Sequence, residues 1–256
     1  MKKLIPLLLV LAAFLTLPAC GKTPEPAPTQ PDITTASTIK PDSTTDYNST
    51  TASTTQPDIT TAYTTKSFGG YTWRVLDEQD GKVLLITEDI IEQRPYNAAA
   101  EDVTWETCTL RTYLNGEFYS KFSAQEQAMI LETRNTNPDN QWYGTDGGND
   151  TMDRVFLLSV EEVVKYFGDS GDLAARKGWY WEDGKVLKDG KGYYISDQYN
   201  SERAAKFNNG GSWWWLRSPG YDPSRTTDVY NNGDVGLSGS DVNIEFGVRP
   251  ALWLKL

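Results

Sequence analysis

The chain of 256 residues contains no histidine. That absence removes Ser-His-Asp and Cys-His catalysis, and every zinc or iron site that relies on imidazole. Cysteine is almost absent too: Cys20 and Cys108 are the only two. If Cys20 is consumed by modification, Cys108 has no partner for an internal disulfide. Positive charge is also scarce. Lys and Arg number 24 against 35 Asp and Glu, a formal net charge of −11. A surface of that sign repels nucleic-acid phosphate, so the sequence predicts no nucleic-acid partner.

What the chain has instead is aromatic surface, with 9 Trp and 14 Tyr. The densest stretch runs Gly210-Gly211-Ser212-Trp213-Trp214-Trp215-Leu216-Arg217-Ser218-Pro219-Gly220, followed later by Phe246-Gly247-Val248-Arg249-Pro250-Ala251-Leu252. In an extended run Trp213 and Trp215 share one face and Trp214 takes the other. A strand with indoles on both faces needs cover on both, which places it inside a sheet. Arg217 and Arg249 each end an apolar run shortly before a proline. They could bind a ligand carboxylate or phosphate, or form buried pairs with Asp or Glu that fix strand ends.

At the N-terminus, Met1-Lys2-Lys3 precedes Leu4 to Leu17, an apolar run of about 14 residues. That is short for a membrane span and right for a signal h-region. It closes on Leu17-Pro18-Ala19-Cys20-Gly21, which resembles the lipobox of bacterial lipoproteins. The resemblance implies cleavage after residue 19, a lipid-modified Cys20, and attachment to the outer face of the cell membrane. Several acyl chains at ~0.8 kcal/mol per buried CH₂ hold such a protein firmly.

Residues 20–67 are rich in Thr, Ser, Pro and Asp, and Pro31-Asp32-Ile33-Thr34-Thr35-Ala36 recurs as Pro57-Asp58-Ile59-Thr60-Thr61-Ala62. So few large apolar groups cannot offset the entropy of ordering. The stretch reads as a disordered stalk, ~150 Å when extended and ~40 Å as a coil.

Residues 68–256 carry the folded domain, expected to be α+β, with twisted antiparallel sheets and a few short helices. Tyr71 to Leu76 and Lys82 to Thr87 read as a hairpin. Leu110, Leu114, Phe118 and Phe122 form a helical stripe interrupted near Asn115-Gly116. Ser123 can cap a second short helix, and Ser159-Val160-Glu161-Glu162 is a capping box opening a third. A strand is expected at Arg154 to Leu158, a turn at Asp183-Gly184, and a hairpin around Asn231-Asn232-Gly233. Gly247 to Leu254 is expected as the closing strand.

The tryptophan and arginine motifs, with Thr104 to Arg111, Tyr113-Leu114-Asn115 and Thr151 to Ser159, resemble a bacterial domain family of unknown function common in surface proteins and lipoproteins. More distantly, their rhythm is similar to the fold shared by C-type lectins and formylglycine-generating enzymes. The second resemblance implies a lectin-like fold. It does not carry the enzyme activity, because the cysteine pair that activity needs would lie in the C-terminal part, where this chain has none.

Candidate ligand contacts are Trp179, Trp181, Tyr143, Trp213, Trp215 and Arg217. Exposed aromatics beside polar groups suit the faces of sugars. The polar loop from Asn135 to Asp153 offers Asp146, Asn149, Asp150 and Asp153 as oxygen ligands for Ca²⁺, though without EF-hand spacing; the alternative is a solvated turn with Asp150 or Asp153 paired to arginine. No other cofactor is indicated. The expected function is non-catalytic binding of an extracellular glycan or protein, with a carboxylate-based glycan hydrolase or a structural surface component as alternatives.

Overall fold

The structure is a computed structural model. It describes residues 63–175 and 194–256, together with the backbone of two short strands, Tyr180–Glu182 and Lys185–Leu187. The signal segment, Cys20 and residues 20–62 lie outside the described residues, as does Trp179; residues 65–67, expected as the end of the stalk, instead open the strand Thr65–Phe68.

The described residues form one α+β unit with two principal sheets. The five-stranded sheet orders Thr65–Phe68, Tyr71–Gln79, Lys82–Thr87, Ala251–Lys255 and Ile130–Leu131, each antiparallel to the next. The six-stranded sheet orders Tyr194–Ile195, Val235–Asp241, Arg225–Val229, Trp214–Pro219, Glu245–Val248 and Glu92–Pro95. Its one parallel contact joins Trp214–Pro219 to Glu245–Val248.

The expected hairpin of the first sheet turns at Asp80-Gly81, both in the left-handed region. Lys82–Thr87 then alternates nothing: Val83 to Thr87 are all buried, because both faces of this central strand are covered. The aromatic strand is likewise central, and Trp214 and Trp215 are buried on opposite faces. Trp214 packs against Phe167, and its indole N–H donates to the Arg203 carbonyl. Trp215 packs against Tyr96, and its N–H donates to the Arg94 carbonyl. Each indole thus buries a large apolar body and satisfies its one polar atom.

The helical stripe forms as Thr109–Tyr113, then a π-helical turn over Leu114–Phe118, then Tyr119–Lys121. Leu110, Leu114, Phe118 and Phe122 are buried. Cys108 caps the first turn, accepting from the Arg111 amide, and burial pushes its thiol up to about 12. It is a packing and capping residue. The expected capping box forms at Ser159–Glu162, the expected Ser123 cap proves to be a full capping box with Glu126, and the Val160–Phe167 helix buries Val160, Val163, Val164 and Phe167.

Two expectations are corrected. No strand runs from Arg154 to Leu158; the strand there is Thr151–Asp153, paired with Thr133–Asn135. The amides of Arg154 and Val155 donate to the Asn115 side chain instead of to a neighbouring strand. The closing strand is also two strands. Glu245–Val248 belongs to the six-stranded sheet and Ala251–Lys255 to the five-stranded one, with Arg249-Pro250 as the crossing. Proline has no amide to offer a ladder, so the break falls where it sits.

Candidate ligand-binding site

On the Trp215 side of the six-stranded sheet, register places aromatics from successive strands in a row. Trp213 stands one residue ahead of its strand, half-buried, and stacks on Tyr230 with ring centroids 4.0 Å apart. Phe246, on the neighbouring strand, lies 5.1 Å from Trp213 and 4.6 Å from Trp215. Tyr194, on the edge strand, is 6.2 Å from Tyr230 and 40% exposed. Tyr194, Tyr230, Trp213 and Phe246 therefore run across the sheet as one strip that reaches solvent. Trp215 is its buried floor.

The strip needs a gap in the sheet. Gly236 pairs with both Tyr194 and Asp228, and an added Cβ there would come within 2.8 Å of the Tyr230 ring and 2.3 Å of Asp228 Oδ1. Any side chain at position 236 would lift Tyr230 off the sheet.

Tyr194 also lines an open cleft of about 500 Å³ whose polar groups include Ser170, Ser196, Asp197 and Gln198. Asp197 is fixed by the buried Arg203, by the Ser170 hydroxyl at 2.7 Å and by the Tyr199 amide at 2.9 Å. Burial alone would raise its carboxyl, but these three donors hold it below the usual range. An ionised carboxylate, hydroxyls and an amide beside aromatic rings can hydrogen-bond a hydroxyl-rich ligand while the rings cover its apolar face.

A second cleft, of about 480 Å³, lies between Asp102, Thr104, Glu106, Thr107, Asp146 and Asn149. The Asn149 side chain bridges to Glu106 at 2.9 Å across it. The same loops carry Tyr143 and Tyr221, whose rings meet edge to face at 6.1 Å.

Several sequence candidates land elsewhere. Trp215 is 0% exposed and cannot meet a ligand; its neighbours on both strands close over it. Arg217 is buried and forks onto Glu162, with its Nη2 at 2.9 Å from Oε1, while Nη1 also donates to the Leu157 carbonyl. Burial would raise the Glu162 carboxyl, but Arg217 and the Ser159 amide outweigh it and hold it down. Arg217 thus ties the helix start to the strand and offers nothing to a ligand.

Arg249 is also 0% exposed, yet among the described residues it pairs with no carboxylate. It donates to the carbonyls of Thr87 at 2.9 Å, Glu88 at 2.9 Å and Arg203 at 3.4 Å, and lies over Trp214. Burial, with Arg74 nearby, lowers it to about 9.

The calcium candidates do not converge. Asp153 is buried and accepts from Trp105, Asn135, Thr151 and Arg111, which fills its oxygens. Asp150 pairs with Arg134, and Asp146 accepts from the Gly148 amide. Asn149 donates to Glu106 instead of presenting its oxygen as a ligand. Among the described residues no group of three or more acidic or cysteine side chains is arranged to hold a metal ion.

Trp181 is placed only as the middle of the Tyr180–Glu182 strand, opposite Val186. Sequence reasoning missed Tyr194, Tyr230 and Phe246. The pairing that brings Tyr230 beside Trp213 joins Trp214–Pro219 to Arg225–Val229, and no turn motif fixes it; the Asn231-Asn232-Gly233 turn sets only the register of Arg225–Val229 with Val235–Asp241.

No curated protein and no solved structure matches the chain. A family model described as a domain of unknown function (DUF6273) matches residues 80–256, most of the folded unit. That match covers more than half of the sequence, and the chain therefore belongs to the DUF6273 family.

Proposed function

We propose that this chain is a lipid-anchored protein of the outer cell surface whose head binds an extracellular glycan without chemical turnover. Cys20 carries the anchor, residues 20–62 hold the head away from the membrane, and the aromatic strip with its adjoining cleft takes the ligand. The observation that carries this reading is Tyr194, which belongs at once to the ring row and to the hydroxyl- and carboxylate-lined cleft. Stacked rings contribute about 0.5–1.5 kcal/mol per pair beyond burial. A strip held that way is ordered before the ligand arrives, so binding costs less entropy. The lectin-like resemblance of the sequence motifs points the same way.

Calorimetry of the protein against cell-wall and host polysaccharides tests the binding. Trp213→Ala and Tyr230→Ala should each weaken binding at least tenfold while the protein still melts in one cooperative transition. A panel in which no glycan binds, or in which these variants bind as well as wild type, rejects the reading. Membrane fractionation of wild type against Cys20→Ser tests the anchor: the variant should leave the membrane fraction.

A further inference from the structure

One carboxyl under the aromatic strip has no structural employment. Asp228 sits on the Arg225–Val229 strand, opposite Trp215 on one side and Gly236 on the other. It is 0% exposed, and neither of its oxygens meets a donor in good hydrogen-bond geometry, the Ser240 hydroxyl being the one donor near enough to favour the ionised form. Its Oδ1 lies so close to the bare backbone of Gly236 that a Cβ there would approach to 2.3 Å, and the Tyr230 ring covers the same glycine. The carboxyl is therefore boxed by an indole, a phenol ring and a glycine.

The charged surroundings are thin. On its own strand, Arg225 is engaged at 2.9 Å with Asp241. On the next strand the Ser240 hydroxyl is the polar group that favours the ionised form. The facing residue on the tryptophan strand, Trp215, is uncharged, and Asp234 is tied to Asn200 and Asn232. A buried carboxylate without partners is costly, whereas the neutral acid costs far less. Burial accordingly raises Asp228 to about 7, with Ser240 and Arg225 opposing it.

We propose that Asp228 is a proton-operated latch for the aromatic strip: protonated, it stays beneath Tyr230 and the rings remain stacked; ionised, it moves toward water, tilts Tyr230 off Trp213 and weakens ligand binding. The ligand half of this statement rests on the strip being the binding surface. The latch half does not.

The sign follows from proton counting. The folded state holds this proton to higher pH than the unfolded chain does. The stability it contributes is complete below the ordinary carboxylate range, is lost as pH rises through about 7, and stays lost above. Wild type should lose roughly 4–8 °C of thermal midpoint between pH 5.5 and pH 8. Asp228→Asn should show a flatter profile, whatever its absolute midpoint.

Without ligand, the near-ultraviolet circular dichroism of the stacked rings should change over the same interval in wild type and not in the variant. Carbon-detected NMR of the Asp228 carboxyl in wild type reads the proton directly and needs no variant to fold. Titration near pH 4, or superimposable midpoint profiles, overturns the latch. A confirmed latch with no glycan binding at any pH keeps the latch and rejects the proposed function. Glycan binding that weakens at least threefold from pH 5.5 to pH 8 in wild type, and stays constant in the variant, supports both.

Discussion

The strands Lys82–Thr87 and Trp214–Pro219 occupy equivalent places, each central in its sheet with neighbours on both sides. Their materials differ. The first supplies an aliphatic buried run, Val83 to Ile86, that carries no polar side chain. The second holds two indoles and Arg217, so three of its five buried positions bring a polar side-chain atom that needs a partner, and its neighbour holds Asp228. Aliphatic cover tolerates small errors in placement. Indole and guanidinium cover does not, because each misplaced donor leaves an unpaired group in a dry interior. The six-stranded sheet is accordingly the more specified of the two, and it is the one that presents the aromatic strip.

The largest expected effect strikes the aliphatic sheet. A chain beginning at Asp80, where the family match starts, lacks Thr65–Phe68 and the whole of Tyr71–Gln79. It loses the buried Trp73 and the Arg74–Glu88 pair, and leaves one side of Lys82–Thr87 without a partner. Such a chain should be unfolded by circular dichroism, while one beginning at residue 63 should melt cooperatively. A well-folded protein starting at residue 80 would show that the aliphatic sheet is the dispensable one.

Next comes Arg249→Ala, which orphans the carbonyls of Thr87 and Glu88 and should cost about 3–5 kcal/mol in chemical denaturation. Arg249→Lys should recover little, since one ammonium cannot span three carbonyls set for a fork. Full rescue by lysine would mean that charge matters there and shape does not.

The smallest effect belongs to Glu162→Gln. Its folded-state carboxyl is held below the usual range, so its contribution is present above the ordinary carboxylate pKa and fades as pH falls through the lowered value. The variant should be about 1–2 kcal/mol less stable at pH 7, with the gap closing in acid. A gap independent of pH would assign the loss to packing.

Local chemistry made much of this fold legible. The capping boxes at Ser123 and Ser159, the stripe from Leu110 to Phe122 and the turns at Asp80-Gly81 and Asn232-Gly233 are all written within a few residues of where they act. The opposed faces of Trp214 and Trp215 followed from strand alternation alone. The misreadings share a cause: the deciding partner is distant in the chain. Asn115 takes the amides of Arg154 and Val155, which ends a strand that the apolar run Val155 to Leu158 suggests. Asp153 looked like a loop ligand because its partners Trp105 and Arg111 lie more than forty positions upstream. Arg217 and Arg249 look alike in sequence, yet one found a carboxylate and the other three carbonyls.

The short crossing at Arg249-Pro250 has a consequence for how the molecule is made. Residues on its two sides complete different sheets, and both insert between strands laid down much earlier. Neither layer can close until this segment has been synthesised and released from the ribosome, so the growing chain stays loose almost to its finish. Once the segment arrives, both layers should lock in a single event.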